Sequence, residues 1–416
     1  GGITQRTFSS LKVRNYRLYF FGQAVSMCGT WMQTVGQAWL VLKLTGSGTA
    51  LGLVIALQFL PVLILGPFGG VLVDRLPKRR VLFITQLASA LPALILGVLV
   101  STNTVQLWQV YVLAACLGLV ATVDNPIRQT FVLEMVGPEN LSNAVTLNSV
   151  MLNAARIIGP AIAGLLIATV GLAACFYINA ASYLAVLVAL GLMKVGELTV
   201  VPPTRRAKGQ LREGFHYVWS TPVLRDSLTM MAIVGTLSYE FQVLLPLLAK
   251  YTFNGTAATY SALTAAMGAG AVVGGLITAS RHRHGPMALV KATLALGAVI
   301  LVAAAAPTLV FELAALVAVG AASITFLSLG TTVLQLGAAP EMRGRVMGLW
   351  AVAFIGSTPV GGPIIGWIGQ HAGPRIGLVV GGSAALVAGM IGLAAALAAR
   401  RHLVAARSPD PAPVGT

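Results

Sequence analysis

Few side chains in this 416-residue chain can do chemistry, and several of them lie where a charge is costly. Arg156 lies thirteen residues beyond Asn143 in an apolar run. At 1.5 Å per helical residue this is about 20 Å along a helix, near the middle of a bilayer. A guanidinium there costs about 2.5–3.5 kcal/mol on insertion scales, so it needs a partner or a wet cavity. It serves either a structural ion pair or a coupling or substrate contact. Glu240 is the second deep charge, in Ser238-Tyr239-Glu240-Phe241-Gln242 with Pro246 following. Loss of hydration penalises the ionised carboxyl, which suits a group that takes up and releases a proton. The plainer reading is a neutral Glu bonded to a neighbouring helix. Asp124 and Arg128 are spaced i, i+4 and can pair along a helix, as an end-cap or a gate.

Uncharged polar and aromatic residues share apolar runs. Trp31, Gln33 and Gln37 lie in one, Tyr239 and Gln242 in another, and Thr331 and Gln335 in a third. Such groups suit a cavity for a broad, mostly apolar ligand, or they bond helix to helix. There is no Walker sequence and no Ser–His–Asp arrangement. Cys28, Cys116 and Cys175 lie in apolar runs without metal-ligand spacing, and the five histidines have no metal partners at useful spacing. The chain is therefore read as a non-enzyme with no cofactor and no metal.

The elements that position these residues are helices through lipid. Hydrophobic residues make up 57% of the chain and charged ones only 9%, with mean hydropathy +0.86, against about 25% charged in soluble domains. That excludes a soluble enzyme, a disordered chain and a coiled coil. The apolar runs are continuous and long enough to cross about 30 Å of hydrocarbon, which points to helices rather than a β-barrel. Twelve spans are expected, at about 18–42, 49–73, 81–101, 107–129, 143–168, 172–193, 227–249, 258–280, 287–306, 309–337, 345–369 and 376–399. The domain reading is an N-terminal segment 1–17, a six-helix bundle 18–193, a linker 194–226, a second bundle 227–399 and a tail 400–416.

Basic residues fix the orientation. With the N-terminus in the cytoplasm, 23 of the 27 Lys and Arg fall on the inner side and only Lys43, Lys250 and Arg375 outside. Both termini are then cytoplasmic, and the net charge of +16 is a topology signal rather than a sign of nucleic-acid binding. The halves also repeat. Pro138-Glu139, Gly164 and Gly171 recur as Pro340-Glu341, Gly366 and Gly373, each 202 residues later, and Gly69-Gly70 recurs as Gly274-Gly275.

The stretch Gly70-Val71-Leu72-Val73-Asp74-Arg75-Leu76-Pro77-Lys78-Arg79-Arg80 resembles the major facilitator superfamily signature Gly-x-x-x-Asp-Arg/Lys-x-Gly-Arg-Arg/Lys. It matches at Gly70, Asp74, Arg75, Lys78 and Arg79 and departs at Pro77. Asp124-Asn125-Pro126-x-Arg128-Gln129, Pro138-Glu139-x-x-x-Asn143-Ala144 and the run from Asn153 to Gly164 resemble the enterobactin-exporter-like, drug–proton antiporter branch. The resemblance implies two pseudo-symmetric six-helix bundles around a central path, with span seven lining it. It also implies a latch at Asp74 that joins the bundles in one conformation, and an antiporter motif at Gly159, Pro160 and Gly164. The superfamily's usual Arg near the middle of span four is absent, and Arg156 is a candidate replacement. The expected function is proton-coupled export of amphipathic small molecules such as drugs or siderophores. The expected setting is the bacterial inner membrane, with a monomer as the working unit. An importer or lipid transporter of the same fold is the alternative, and a receptor or lipid-embedded enzyme a remote one.

Overall fold

The computed structural model describes residues 9–73, 76–199, 210–280 and 285–405. Lipid offers backbone N–H and C=O groups no partner, so each crossing must satisfy them within a helix. Among the described residues, ten helical stretches are long and apolar enough to cross a bilayer. One of them, Leu107–Thr169, has 63 residues, about 95 Å of helix, and must be two spans. It turns at Gly137 (φ 71°, ψ 170°), immediately before Pro138. The first helix, Arg14–Thr45, is diluted by glutamines but has 32 residues and completes twelve.

In chain order the spans are one (Arg14–Thr45), two (Gly48–Val73), three (Lys78–Ser101), four and five (107–136 and 138–169), and six (Ala173–Gly191). Seven (Pro222–Thr252), eight (Ala257–Ser280), nine (Pro286–Ala304), ten (Leu309–Gly337), eleven (Pro340–His371) and twelve (Pro374–Ala405) form the second half. The chain between the halves is more than a linker. It carries the helix Gln210–Ser220, whose Glu213 pairs with Arg345 at 2.6 Å and whose Tyr217 hydroxyl accepts from Ala339 N at 3.0 Å.

Two spans depart from regular helix. Span seven widens into a π turn at Val234–Ser238, breaks at Tyr239–Glu240, resumes at Phe241–Leu247 and widens again at Leu248–Thr252. Pro246 lacks the N–H that would bond back to the carbonyl one turn earlier. Span eleven widens at Ala351–Ile355 and restarts at Thr358, followed by Pro359, Gly361, Gly362 and Pro363.

The repeat is visible in the backbone. Val170 N bonds to Leu166 O and Ala372 N to Ile368 O, both at 2.8 Å and 202 positions apart. Gly171 and Gly373 follow with φ of 110° and 100°, the left-handed region where glycine ends a helix without a Cβ clash. The pairing across the halves repeats too. A Cβ on Gly164 of span five would lie 2.8 Å from Ser261 Cβ of span eight, and Gly366 of span eleven lies against the backbone of Gly48 in span two.

Candidate functional site

A cavity of about 1510 Å³ lies between the halves. It runs from Gln37, Gln242 and Tyr260 in the interior to Val132, Glu341 and Arg345 at the end that bears the termini. At the opposite end the halves are bonded together. Gln370 Oε1 of span eleven accepts from Ser47 Oγ (2.7 Å), Thr49 Oγ1 (2.9 Å) and Thr49 N (3.1 Å). Lys250 Nζ donates to Leu42 O at 2.9 Å, and the Tyr251 hydroxyl to Gly46 O at 2.5 Å.

Most of the polar groups on the cavity wall belong to the first half. Asp124, 5% exposed, accepts from Thr85 Oγ1 (2.6 Å) and Gln86 Nε2 (2.9 Å) of span three and pairs with Arg128 Nε one turn on. Arg128 Nη1 then donates to Gln23 Oε1 of span one. The pair is thus neither a simple end-cap nor isolated; it ties three helices together beside the cavity. A buried carboxylate is tolerable when several donors replace its water, as here. Gln33 Oε1 accepts from Asn179 Nδ2 of span six at 2.5 Å.

Of the polar residues grouped by sequence, Gln33, Gln37 and Gln242 line this cavity, while Trp31, Tyr239, Thr331 and Gln335 do not. Tyr239 packs among Phe241 and Phe354, its ring 5.1 Å from Phe354. Thr331 turns back on its own helix, donating to Leu327 O and Ser328 O, both at 3.0 Å. Gln335 is exposed. Trp31 lies under Arg156, with Cζ 5.2 Å from the ring centroid.

The expectation that Arg156 faces a carboxylate or the cavity does not match this geometry. Arg156 makes no ion pair with a described residue and is not part of the cavity wall. A cation over an indole gains about 0.5–2 kcal/mol, more as it is desolvated, and for the half-buried Arg156 this offsets part of the insertion cost set out above. Gly159 makes the contact possible: a Cβ there would sit 2.5 Å from Trp31 Cβ and 2.8 Å from Cys28 O. Pro160 is buried one residue on.

Glu240 is 2% exposed at the break in span seven, and its Oε1 has no hydrogen-bond partner among the described residues. The carboxyl points at the Gly361–Gly362 pair of span eleven; a Cβ on Gly361 would lie 2.8 Å from Oε1. It is therefore a contact inside the second half, away from the cavity wall. A second carboxyl is as deeply shielded. Glu312 is 1% exposed in the first turn of span ten, with Oε1 unpartnered among the described residues.

Of the signature between spans two and three, Asp74 and Arg75 lie outside the described residues, and Gly70 is in the last turn of span two. Lys78 pairs with Glu134 of span four at 2.5 Å, and Arg79 Nε donates to Leu190 O of span six at 2.8 Å. Both are held by their own half.

The sequence matches the family described as transmembrane secretion effector over residues 5–413, and the chain belongs to that family. It is 29% identical over 373 residues to the multidrug efflux pump Tap of Mycolicibacterium fortuitum, covering 85% of this chain and 90% of that one. It is 26% identical over 368 residues to the enterobactin exporter EntS of Shigella flexneri, covering 88% and 84%. Among solved structures, the nucleoside transporter NupG superposes with a TM-score of 0.73 at 14% identity, covering 92% of this chain and 98% of that one. A bacterial homologue of the iron transporter ferroportin in an inward-facing state gives 0.70 at 15%, with coverage of 92% and 98%. These likenesses establish the fold of a major facilitator transporter, a multi-pass membrane protein and not an enzyme.

Proposed function

We propose that this member of the transmembrane secretion effector family is a proton-coupled secondary exporter of amphipathic small molecules, drugs or siderophores, working by alternating access. The observation that carries this reading is the cavity between the halves, which reaches the termini-bearing end while cross-half hydrogen bonds join the other end. The distribution of Lys and Arg supports cytoplasmic termini in a bacterial cell. The arrangement is then an inward-open state, ready to load cargo from inside. Apolar walls with scattered amides suit a cargo that is partly apolar. The relatives named for drug efflux and enterobactin export support the same direction of transport.

In this scheme a monomer suffices. Glu240 is the candidate proton carrier, because rearrangement at the span-seven break changes its hydration as the halves rock. Arg156 joins spans one and five beside the interface and transmits that movement, and Asp74 latches the cytoplasmic side when the outer side opens.

The test is transport in proteoliposomes with an imposed proton gradient and a panel of siderophores, dyes and antibiotics. Gradient-dependent uphill movement of at least one compound is expected. Equal rates with and without the gradient would remove proton coupling, and movement only in the opposite sense would favour an importer.

A further inference from the structure

The hydrogen-bond ledger along the polar wall does not close. Asp124 is well supplied, with Thr85, Gln86 and Arg128 all donating to it. Gln33 and Asn179 satisfy each other, and the charge of Arg345 on the facing wall is taken by Glu213. What remains unmet is mostly donor capacity. Arg128 uses Nε and Nη1, leaving Nη2 without a described partner, and its side chain keeps 18% exposure beside the cavity. Gln23 Nε2 and the Tyr19 hydroxyl face each other on side chains only 3% and 4% exposed that border the same cavity, and among the described residues neither has a close partner beyond that mutual, imperfect contact. The one unmet acceptor in the cluster is Gln86 Oε1.

Buried donors without acceptors are costly, so a site in this condition favours a ligand that supplies acceptors. A cation would gain little, because the Asp124 carboxylate is already engaged by three donors. We infer that Arg128, Gln23 and Tyr19 form an anchoring site for an acidic oxygen group of the cargo, a carboxylate or an ionised phenol. The apolar remainder of such a cargo lies along Phe59, Val62, Met151 and Leu152, which line the same cavity. The inference rests on the export reading for its biological meaning, but the anchoring site can be tested without transport.

The experiment is equilibrium dialysis on the full-length protein in nanodiscs, with three probes of similar apolar character. These are 2-naphthoate, its neutral isostere 2-naphthamide, and the lipophilic cation tetraphenylphosphonium. A charge-assisted hydrogen bond corresponds to roughly tenfold or more in affinity and a neutral one to roughly two- to tenfold. The wild type should therefore bind naphthoate at least tenfold more tightly than naphthamide. Arg128→Gln should bring that ratio close to one. Tyr19→Phe, which leaves the Asp124–Arg128 pair in place, should lower it severalfold. Because the readout is a ratio of two isosteres on one preparation, a general loss of folded protein does not imitate the effect. Equal binding of naphthoate and naphthamide by the wild type overturns the site, as does an unchanged ratio in both variants. If tetraphenylphosphonium is exported under a proton gradient without any carboxylate preference, the site is wrong and the export reading stands. If the preference is present but nothing moves under a gradient, the site stands and the export reading falls.

Discussion

Gln370 offers a direct way to move the conformational balance. Its single carbonyl oxygen accepts three hydrogen bonds from Ser47 and Thr49 of the opposite half, at 2.7 to 3.1 Å, and all three are solvent-exposed. Gln370→Ala deletes them without touching the cavity wall. Exposed hydrogen bonds contribute toward the lower end of about 0.5–1.5 kcal/mol each, so the set stabilises this state by about 1–2 kcal/mol. Those bonds cross the halves at the end away from the termini, and alternating access requires them to break when that end opens. Removing them therefore raises the open-outside population by a factor of about 5–30. The assay is double electron–electron resonance in nanodiscs, with spin labels on Thr104 and Pro307, in the loops of the two halves at that end, on a background lacking Cys28, Cys116 and Cys175. The longer-distance component should grow in Gln370→Ala, and transport rates should change with it. An unchanged distance distribution would refute the claim that these bonds hold the far end shut.

Four further outcomes are expected. Arg156→Ala and Arg156→Lys should both slow transport more than Arg212→Ala on the helix Gln210–Ser220, since lysine keeps the charge but loses the planar face over Trp31; wild-type rates in both would dismiss the stacked pair. Glu240→Gln should abolish uphill transport under a pH gradient while sparing downhill exchange, and full uphill transport would move coupling to Asp124, Asp74 or Glu312. Gly159→Val should destabilise by about 1–3 kcal/mol through overpacking against Trp31, visible as a lower melting temperature in detergent, and an unchanged melt would show that span one can yield. Asp74→Asn should weaken transport and raise labelling, from the cytoplasmic side, of cysteines introduced into the cavity wall, with unchanged labelling and transport removing Asp74 from the mechanism.

Hydropathy made the spans legible because each must bury about twenty residues in lipid, whatever its neighbours do. The partners of the charges were not legible. Which of Thr85, Gln86, Gln23 or Asn179 meets Asp124, Arg128 or Gln33 depends on how each helix is rotated, and an all-apolar span carries little amphipathic signal to fix that rotation. The spacing of Asp124 and Arg128 gave their mutual contact, since i, i+4 is local, but not the links from span three and span one. The burial of Glu312 was not legible either, because a place near a helix end says little about exposure when the first turn packs inward. The break at Tyr239–Glu240 was hidden because Gly235 and Pro246 flank it at a distance, and a π turn leaves the hydropathy of a span unchanged.

What the sequence repeated, the fold repeats as scaffolding. The helix ends at Gly171 and Gly373 and the close cross-half packing at Gly164 and Gly366 are the same device used twice. The chemistry is not duplicated. The three-helix network around Asp124 and Arg128 belongs to the first half, and the carboxyl at a helix break, Glu240, belongs to the second. A symmetric frame lets the halves rock about a shared axis with matched contacts at either end. On the proposed reading, with cargo held by the Arg128 cluster and protons by Glu240, that asymmetry would let cargo and protons act on different halves, each biasing the same rocking motion without competing for one side chain.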